Sequence, residues 1–259
     1  MSGGARMPAV FVGHGSPMNA IEDNAYRRAW TALGERLPRP KSILCVSAHW
    51  ETRGVGVTAM DAPKTIHDFY GFPQALFDVR YPAPGSPSLA RRAAALLAAH
   101  APVLDQEWGL DHGAWSVLVA MYSKADVPVV QLSIDTSKPG AYHYAIGQAL
   151  APLRDEGVLI LGSGNIVHNL RQFDFRAQSQ LDWAVRFDRE VKQRIAAGAH
   201  GDLIAFDAMG ADAQLAINST EHYLPLLYVL GTQDSGDTVS FFNDSVVSSI
   251  SMTSVVVGG

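Results

Sequence analysis

The stretch MPAVFVGHGSP, residues 7–17, begins as a short continuous apolar run and stops at a glycine. A run of that length closed by glycine reads as a strand buried on both faces. Strands buried on both faces belong to parallel sheets sandwiched between helices. His14 then follows, set between Gly13 and Gly15, where the strand ends. The two glycines would let the backbone turn sharply while the imidazole points inward.

The same reading extends outward along the chain. SILCVSA (42–48), VPVVQLSI (127–134) and VLILGSG (158–164) are further buried strands, and VGVTAM (55–60) is another candidate. Helical patterns separate them. Residues 22–35 begin with Glu22 and Asp23, which suit a positive helix end. Residues 86–100 can be capped by Ser86, and residues 138–157 close on Gly157. Residues 178–197 are amphipathic, and 222–230 tolerate Pro225 in a first turn. Residues 61–85 are rich in proline and aromatics and read as a long ordered loop with a turn of helix. Two β-rich stretches, TVSFF (238–242) and SMTSVVVG (251–258), close the chain. Strands alternating with helices predict a single α/β domain, with a mostly parallel central sheet and helices on both faces.

The totals fit that plan. With 259 residues, 47% of them hydrophobic and 17% charged, the chain can bury a substantial core. A net charge of −5 excludes the basic surplus that nucleic acid or an anionic membrane would require. Cys45 is the single cysteine, so no internal disulfide forms, and a reducing compartment is expected. Its mid-strand position reads as a packed thiol, not a nucleophile. The first residues contain no apolar segment of leader length, and no stretch suits a membrane span. Cytoplasmic localisation is the expectation. No coiled-coil pattern or long apolar stripe specifies an oligomer.

The opening histidine has counterparts. His49 follows the strand 42–48, in SAHW, and His168 lies just past the strand 158–164, in GSGNIVHN. Ligands of open α/β sheets bind beyond the carboxyl ends of the parallel strands. His112, in GLDHGAW, precedes a short helical pattern, and His222, in STEHYLPLLYVLG, opens a helix. Any one of these alone reads as an ordinary polar loop residue or a hydrogen-bonded core histidine. His14 and His49 together read as metal ligands, since neutral imidazole suits zinc, iron, copper and nickel. Gly162 and Gly164 would give His168 the freedom that Gly13 and Gly15 give His14. His67, in TIHDFYGFP, stands between loop packing and a pocket wall, while His100, His143 and His200 lie in helical or polar contexts of no special promise. Other sites fit poorly. Ser16 is followed by proline, unlike a nucleophile elbow. The G-x-G of GSGN lacks a third glycine, and there is no H-E-x-x-H and no cysteine pair.

These segments, with VSAHWETRGVGVTAM, TIHDFYGFPQALFDVRYPAPGSP and EHYLPLLYVLG, occur in order from residue 7 to about 231. Together they resemble the 4,5-DOPA dioxygenase family, a branch of the class III extradiol ring-cleaving dioxygenases within the LigB-like superfamily. The resemblance implies His14, His49 and His222 as metal ligands. It implies His168 as catalytic acid/base or fourth ligand, and His112 as a second catalytic group lining the substrate site. Glu221, beside His222, is the alternative third ligand, since related enzymes hold iron with two histidines and a carboxylate. The implied substrates are a catechol, such as L-DOPA, and O2, and the implied metal is Fe(II). A three-histidine set also admits Zn(II), so a zinc hydrolase and a non-catalytic metal-dependent binder are the alternatives. His67, Phe69 and Tyr70 are candidates for the catechol pocket wall.

Overall fold

The computed structural model describes residues 6–174 and 179–258. Its strands are β1 (Ala9–Gly13), β2 (Ser42–Glu51), β3 (Gly56–Thr58), β4 (Val103–Asp105), β5 (Val129–Ile134), β6 (Val158–Gly164), β7 (Val239–Phe242), β8 (Val246–Val247), β9 (Ile250–Ser251) and β10 (Ser254–Val257). Eight of them form one sheet in the order β4-β3-β5-β2-β6-β1-β10-β7. The centre, β5-β2-β6-β1, is parallel throughout. The edges change direction, where β3 runs antiparallel to β5 and β10 antiparallel to β1.

Successive side chains of a strand point to opposite faces, and the core divides accordingly. Ala9 and Phe11 of β1, with Leu44 and Val46 of β2, pack under helices Pro87–Leu96, Gly140–Leu150, Asp182–Ala196 and Leu224–Gly231. Val10, Val12, Ile43 and Cys45 face helices Ala25–Arg36 and His112–Met121. The Cys45 thiol is buried and free, and burial pushes it well above its ordinary pKa.

Several boundaries differ from the sequence expectation for local reasons. The first long helix starts at Ala25, where the Asn24 side chain accepts from the Arg27 N–H, so Glu22 and Asp23 lie before it. The pattern at 138–157 breaks into Gly140–Leu150 and Pro152–Asp155. Pro152 lacks the N–H that would continue the first helix. The helix expected from residue 178 begins at Asp182, and Gln178 lies outside the described residues. Ser86 does cap the helix Pro87–Leu96, accepting from the Leu89 N–H, and the loop 61–85 contains one turn of helix at Gln74–Phe77.

Register aligns the functional edge. Gly13 pairs with Gly164, and Ser47 with Ser163, so β1 and β6 end level, while β2 runs past the expected end at residue 48, through His49 to Glu51, and His49 lies within the strand and not after it. Gly15 does adopt a left-handed conformation (φ 57°), as a turn after His14 requires. Gly162 and Gly164 have a different purpose from the one expected. A Cβ at Gly162 would lie 2.6 Å from the Pro225 carbonyl oxygen, and one at Gly164 2.1 Å from that of His222. Their bare backbone lets the segment leading into helix Leu224–Gly231 settle directly on β6. The Asn165 N–H then donates to the His222 carbonyl at 2.9 Å, fixing His222 beside the strand end.

Both chain ends are tied by Arg154, which is 1% exposed. Its guanidinium donates to the carbonyls of Met7, Thr232 and Val257 and to the Asp237 carboxylate. Arg154→Ala is expected to destabilise the fold by about 3–5 kcal/mol, because it removes the buried cation that pairs with Asp237 and a donor to each of three carbonyls. Urea unfolding checks this, and a loss under 1 kcal/mol would contradict it.

Candidate metal centre

Five of the nine histidines meet at the carboxyl edge of the parallel strands. His14, His49, His112, His168 and His222 line one cavity of about 490 Å³. The ring centroids of His14, His49 and His222 form a nearly equilateral triangle, with sides of 5.1, 5.3 and 5.2 Å. His112 lies 3.8 Å from the His49 ring and 5.9 Å from that of His14. His168 stacks flat on His222 at 3.5 Å. By donor-atom proximity the histidines form two groups, His14 with His49 and His112, and His168 with Glu221 and His222. The triangle crosses that grouping, and it is the arrangement in which three rings surround one point evenly.

Hydrogen bonds fix which nitrogen faces the cavity. The Ser163 hydroxyl donates to the Gly113 carbonyl at 2.6 Å, so its oxygen accepts the Nδ1 proton of His14 at 2.9 Å. Glu221 Oε1 accepts from His222 Nδ1 at 3.0 Å, and Asp68 Oδ2 from His112 Nδ1 at 2.9 Å. Asp68 Oδ2 also lies 3.5 Å from His49 Nδ1. For His14, His222 and His112 this leaves Nε2 with a lone pair, and an outer partner that holds Nδ1–H is the usual support of a metal-bound imidazole. Ser47 and Asp111 hold the frame. The Ser47 hydroxyl donates to Asp111 at 2.6 Å, and Asp111 caps the helix that His112 begins. A Cβ at Gly113 would meet Ser47 Oγ at 2.4 Å, so this approach needs glycine.

Burial, with repulsion from neighbouring imidazoles, lowers the pKa values of His14, His49, His168 and His222. His14 and His222 are held well below the ordinary histidine pKa, by desolvation first and neighbouring histidines second. Desolvation and His112 push His49 down to about 3, against the opposing pull of Asp68. Desolvation takes His168 down to about 4. Burial alone would raise Asp68, but its bond to His112 and the nearby imidazoles hold it below the ordinary carboxylate value.

The donor set fits a divalent ion. His14 Nε2 and His49 Nε2 stand 3.2 Å apart. His14 Nδ1–H is held by Ser163 and His49 Nδ1 lies beside Asp68, so both Nε2 atoms face the same space, where a cation would take both lone pairs. Two nitrogens bound tetrahedrally to one ion at roughly 2.1 Å sit about 3.4 Å apart, close to this spacing. Ser163→Ala removes the acceptor that orients His14 and is expected to weaken metal binding about 10–100-fold. Titration with a competing chelator measures it, and unchanged affinity would remove Ser163 from this role.

The remaining candidates fall unevenly. Glu221 holds the back of His222 and is not among the cavity-lining residues. Phe69 lines the cavity, whereas His67 packs behind it, against Trp115, with Nε2 3.0 Å from the Val79 carbonyl. Tyr70 does not match the expected wall position. It is 93% exposed and outside the lining, because Gly71 (φ 77°) turns the chain beside it so that Phe69 and Phe72 point inward instead. His143 is fully buried elsewhere, with Nδ1 2.9 Å from the Tyr228 hydroxyl. Sequence reasoning missed Asp68 and Ser163. Asp68 stands beside His67 in TIHDFYGFP, one of three aspartates in the loop 61–85, and nothing local to the sequence sets it apart from the other two.

An α/β fold with histidines gathered at the carboxyl edge of its sheet defines a metal-dependent enzyme that keeps its chemistry at the strand ends. The chain belongs to the family described as the catalytic LigB subunit of aromatic ring-opening dioxygenase, whose model matches residues 8–258. It is 52% identical to a protein of Escherichia coli K12 named 4,5-DOPA dioxygenase extradiol, over 98% of this chain and 95% of that one. A Beta vulgaris protein of the same name is 38% identical over 91% and 90%. The crystal structure of an uncharacterized protein from Escherichia coli K12 superposes with a TM-score of 0.86 at 46% identity, covering 98% of this chain and all of that one. The chain is therefore a dioxygenase of the extradiol family, and these relatives do not favour the hydrolase that its histidines would also permit.

Proposed function

We propose that this enzyme opens a catechol ring beside its two hydroxyls, with His14, His49 and His222 holding Fe(II). The even triangle of these rings, each with neutral nitrogen available, is the observation that carries the assignment. When bound, the ion supplies a Lewis acid for the catechol oxygens and a redox partner for O2. Zn(II) suits the same three nitrogens but has no redox chemistry.

The chain's own residues supply positioning and proton transfer. His112 keeps Nδ1–H on Asp68, so its Nε2 faces the cavity as a hydrogen-bond acceptor for a catechol hydroxyl. His168 is neutral and lies beside His222, where its ring can take the second hydroxyl proton and return it after ring opening. The phenyl rings of Phe69 and Phe72 pack edge to face at 5.3 Å and give one side of the site an apolar wall. The substrates in this reading are O2 and a catechol, the name-giving substrate of the relatives being DOPA. A cytoplasmic site of action completes it, in keeping with the one buried thiol. Among the described residues, no helix is long and apolar enough to cross a membrane.

The test is anaerobic purification, separate reconstitution with Fe(II) and Zn(II), and addition of a catechol panel in air. The expected result is oxygen uptake in proportion to coloured ring-opened product with iron alone. Verified iron binding with no uptake on any catechol would overturn the proposal.

A further inference from the structure

The loop 61–85 sends a carboxylate into the histidine cluster, and one residue engages both of its oxygens. Asp68 Oδ1 accepts the His112 backbone N–H at 2.9 Å, and Asp68 Oδ2 accepts from His112 Nδ1 at 2.9 Å. Asp111 caps the helix that follows, so His112 is its first residue, and the first N–H groups of a helix have no acceptor within it. The backbone bond therefore anchors the carboxylate, and the second oxygen is fixed beside the ring. Phe69, the next residue, sets its own ring edge-on to His112 at 5.5 Å.

We infer that Asp68 is a positioning residue that sets the tautomer of His112, keeping its proton on Nδ1 so that Nε2 meets the substrate as an acceptor. The inference rests on the catechol-cleaving reading above for what His112 does, and adds what governs it. Asparagine has the same size as aspartate but cannot accept at both positions. A backbone N–H can only donate, so in Asp68→Asn the amide oxygen stays with it. The amide NH2 then faces Nδ1, and the ring pairs with it by carrying its proton on Nε2 instead. A donor replaces the acceptor at the cavity. Asp68→Ala imposes neither tautomer, so the ring can take the productive one when substrate binds. The isosteric change is thus expected to do more harm than the truncation, the reverse of what a purely structural role would give.

The experiment has a spectroscopic and a kinetic arm. Long-range 1H–15N correlation spectra of the Zn(II)-loaded, 15N-histidine-labelled protein show which ring nitrogen carries the proton, with His112→Gln assigning the signals. Expected is Nδ1–H in the parent and Nε2–H in Asp68→Asn. With Fe(II) and a catechol, Asp68→Asn is expected to lose about 10²–10⁴-fold in kcat, with KM changed far less. Asp68→Ala is expected to retain a higher kcat than Asp68→Asn. The 3.5 Å from Asp68 to His49 Nδ1 is long for a hydrogen bond, so chelator titration should show metal affinity within about tenfold of the parent. A His112 proton that stays on Nδ1 in Asp68→Asn, or a kcat for Asp68→Ala at or below that of Asp68→Asn, would overturn the inference. Loss of stoichiometric metal from Asp68→Asn would overturn it too, making Asp68 a support of His49. No oxygen uptake by the parent with any catechol, iron being bound, would overturn the catechol reading instead, and the spectra would still decide whether Asp68 sets the tautomer.

Discussion

His14→Ala is expected to leave the protein folded and without stoichiometric metal, and to abolish oxygen uptake on every catechol. His14 is one corner of the proposed donor triangle, 5.1 Å from the His49 ring and 5.3 Å from that of His222. Its loss leaves two donors, too few to hold a divalent ion against water. The fold survives because the backbone of residue 14 keeps its own bond, N–H to the Gly164 carbonyl at 3.0 Å. The side chain adds one bond to Ser163, which costs about 1 kcal/mol to lose. Metal content by elemental analysis after gel filtration, with thermal unfolding on the same sample, separates the two effects. One metal ion per chain in the folded variant would defeat the ligand assignment. His49→Ala is expected to behave alike, while Glu221→Gln, which keeps a hydrogen-bond acceptor for His222, should retain metal with modestly weaker affinity.

The strands of the parallel centre could be read from sequence because they are buried on both faces and so appear as unbroken apolar runs. VFVG and VLILG close on glycines that mark the carboxyl edge and place His14 and His168 beyond it, whereas ILCVSA carries no such stop and β2 runs on through His49 to Glu51. The edge strand β4 was missed. Val103 and Leu104 are 66% and 40% exposed, and three residues with no buried position carry no clear period. Gly162 and Gly164 were visible as glycines, but their role depends on a helix sixty residues away, a contact that no local pattern records. Asp68 is hidden for the same reason. Its value comes from reaching His112 and His49 together, across loops that only the folded chain brings into register. Tyr70 illustrates the converse. An aromatic loop pattern says that some rings face inward, and the backbone turn at Gly71 decides that Phe69 and Phe72 do.

His168→Phe separates proton transfer from metal binding. Phenylalanine keeps a flat ring to stack on His222, replacing the 3.5 Å contact, and removes both ring nitrogens. If His168 acts on substrate protons, the variant keeps its metal, binds catechol with similar affinity, and loses about 10²–10⁴-fold in kcat. Burial holds the His168 pKa down at about 4, so its ring is neutral and ready to accept a proton at neutral pH. The acid-side fall in the rate of the parent enzyme should therefore disappear from the residual activity of the variant, since the group that becomes protonated there is gone. Should His168 instead be a fourth ligand, metal affinity and kcat fall together. Two observations favour the first outcome. His168 lies parallel to His222, so the two rings are stacked side by side and do not converge on one point. A fourth protein nitrogen would also fill a position that catechol and O2 must share. Metal retention with kcat lost is thus the expected signature, and metal lost with kcat would move His168 from the proton path into the donor set.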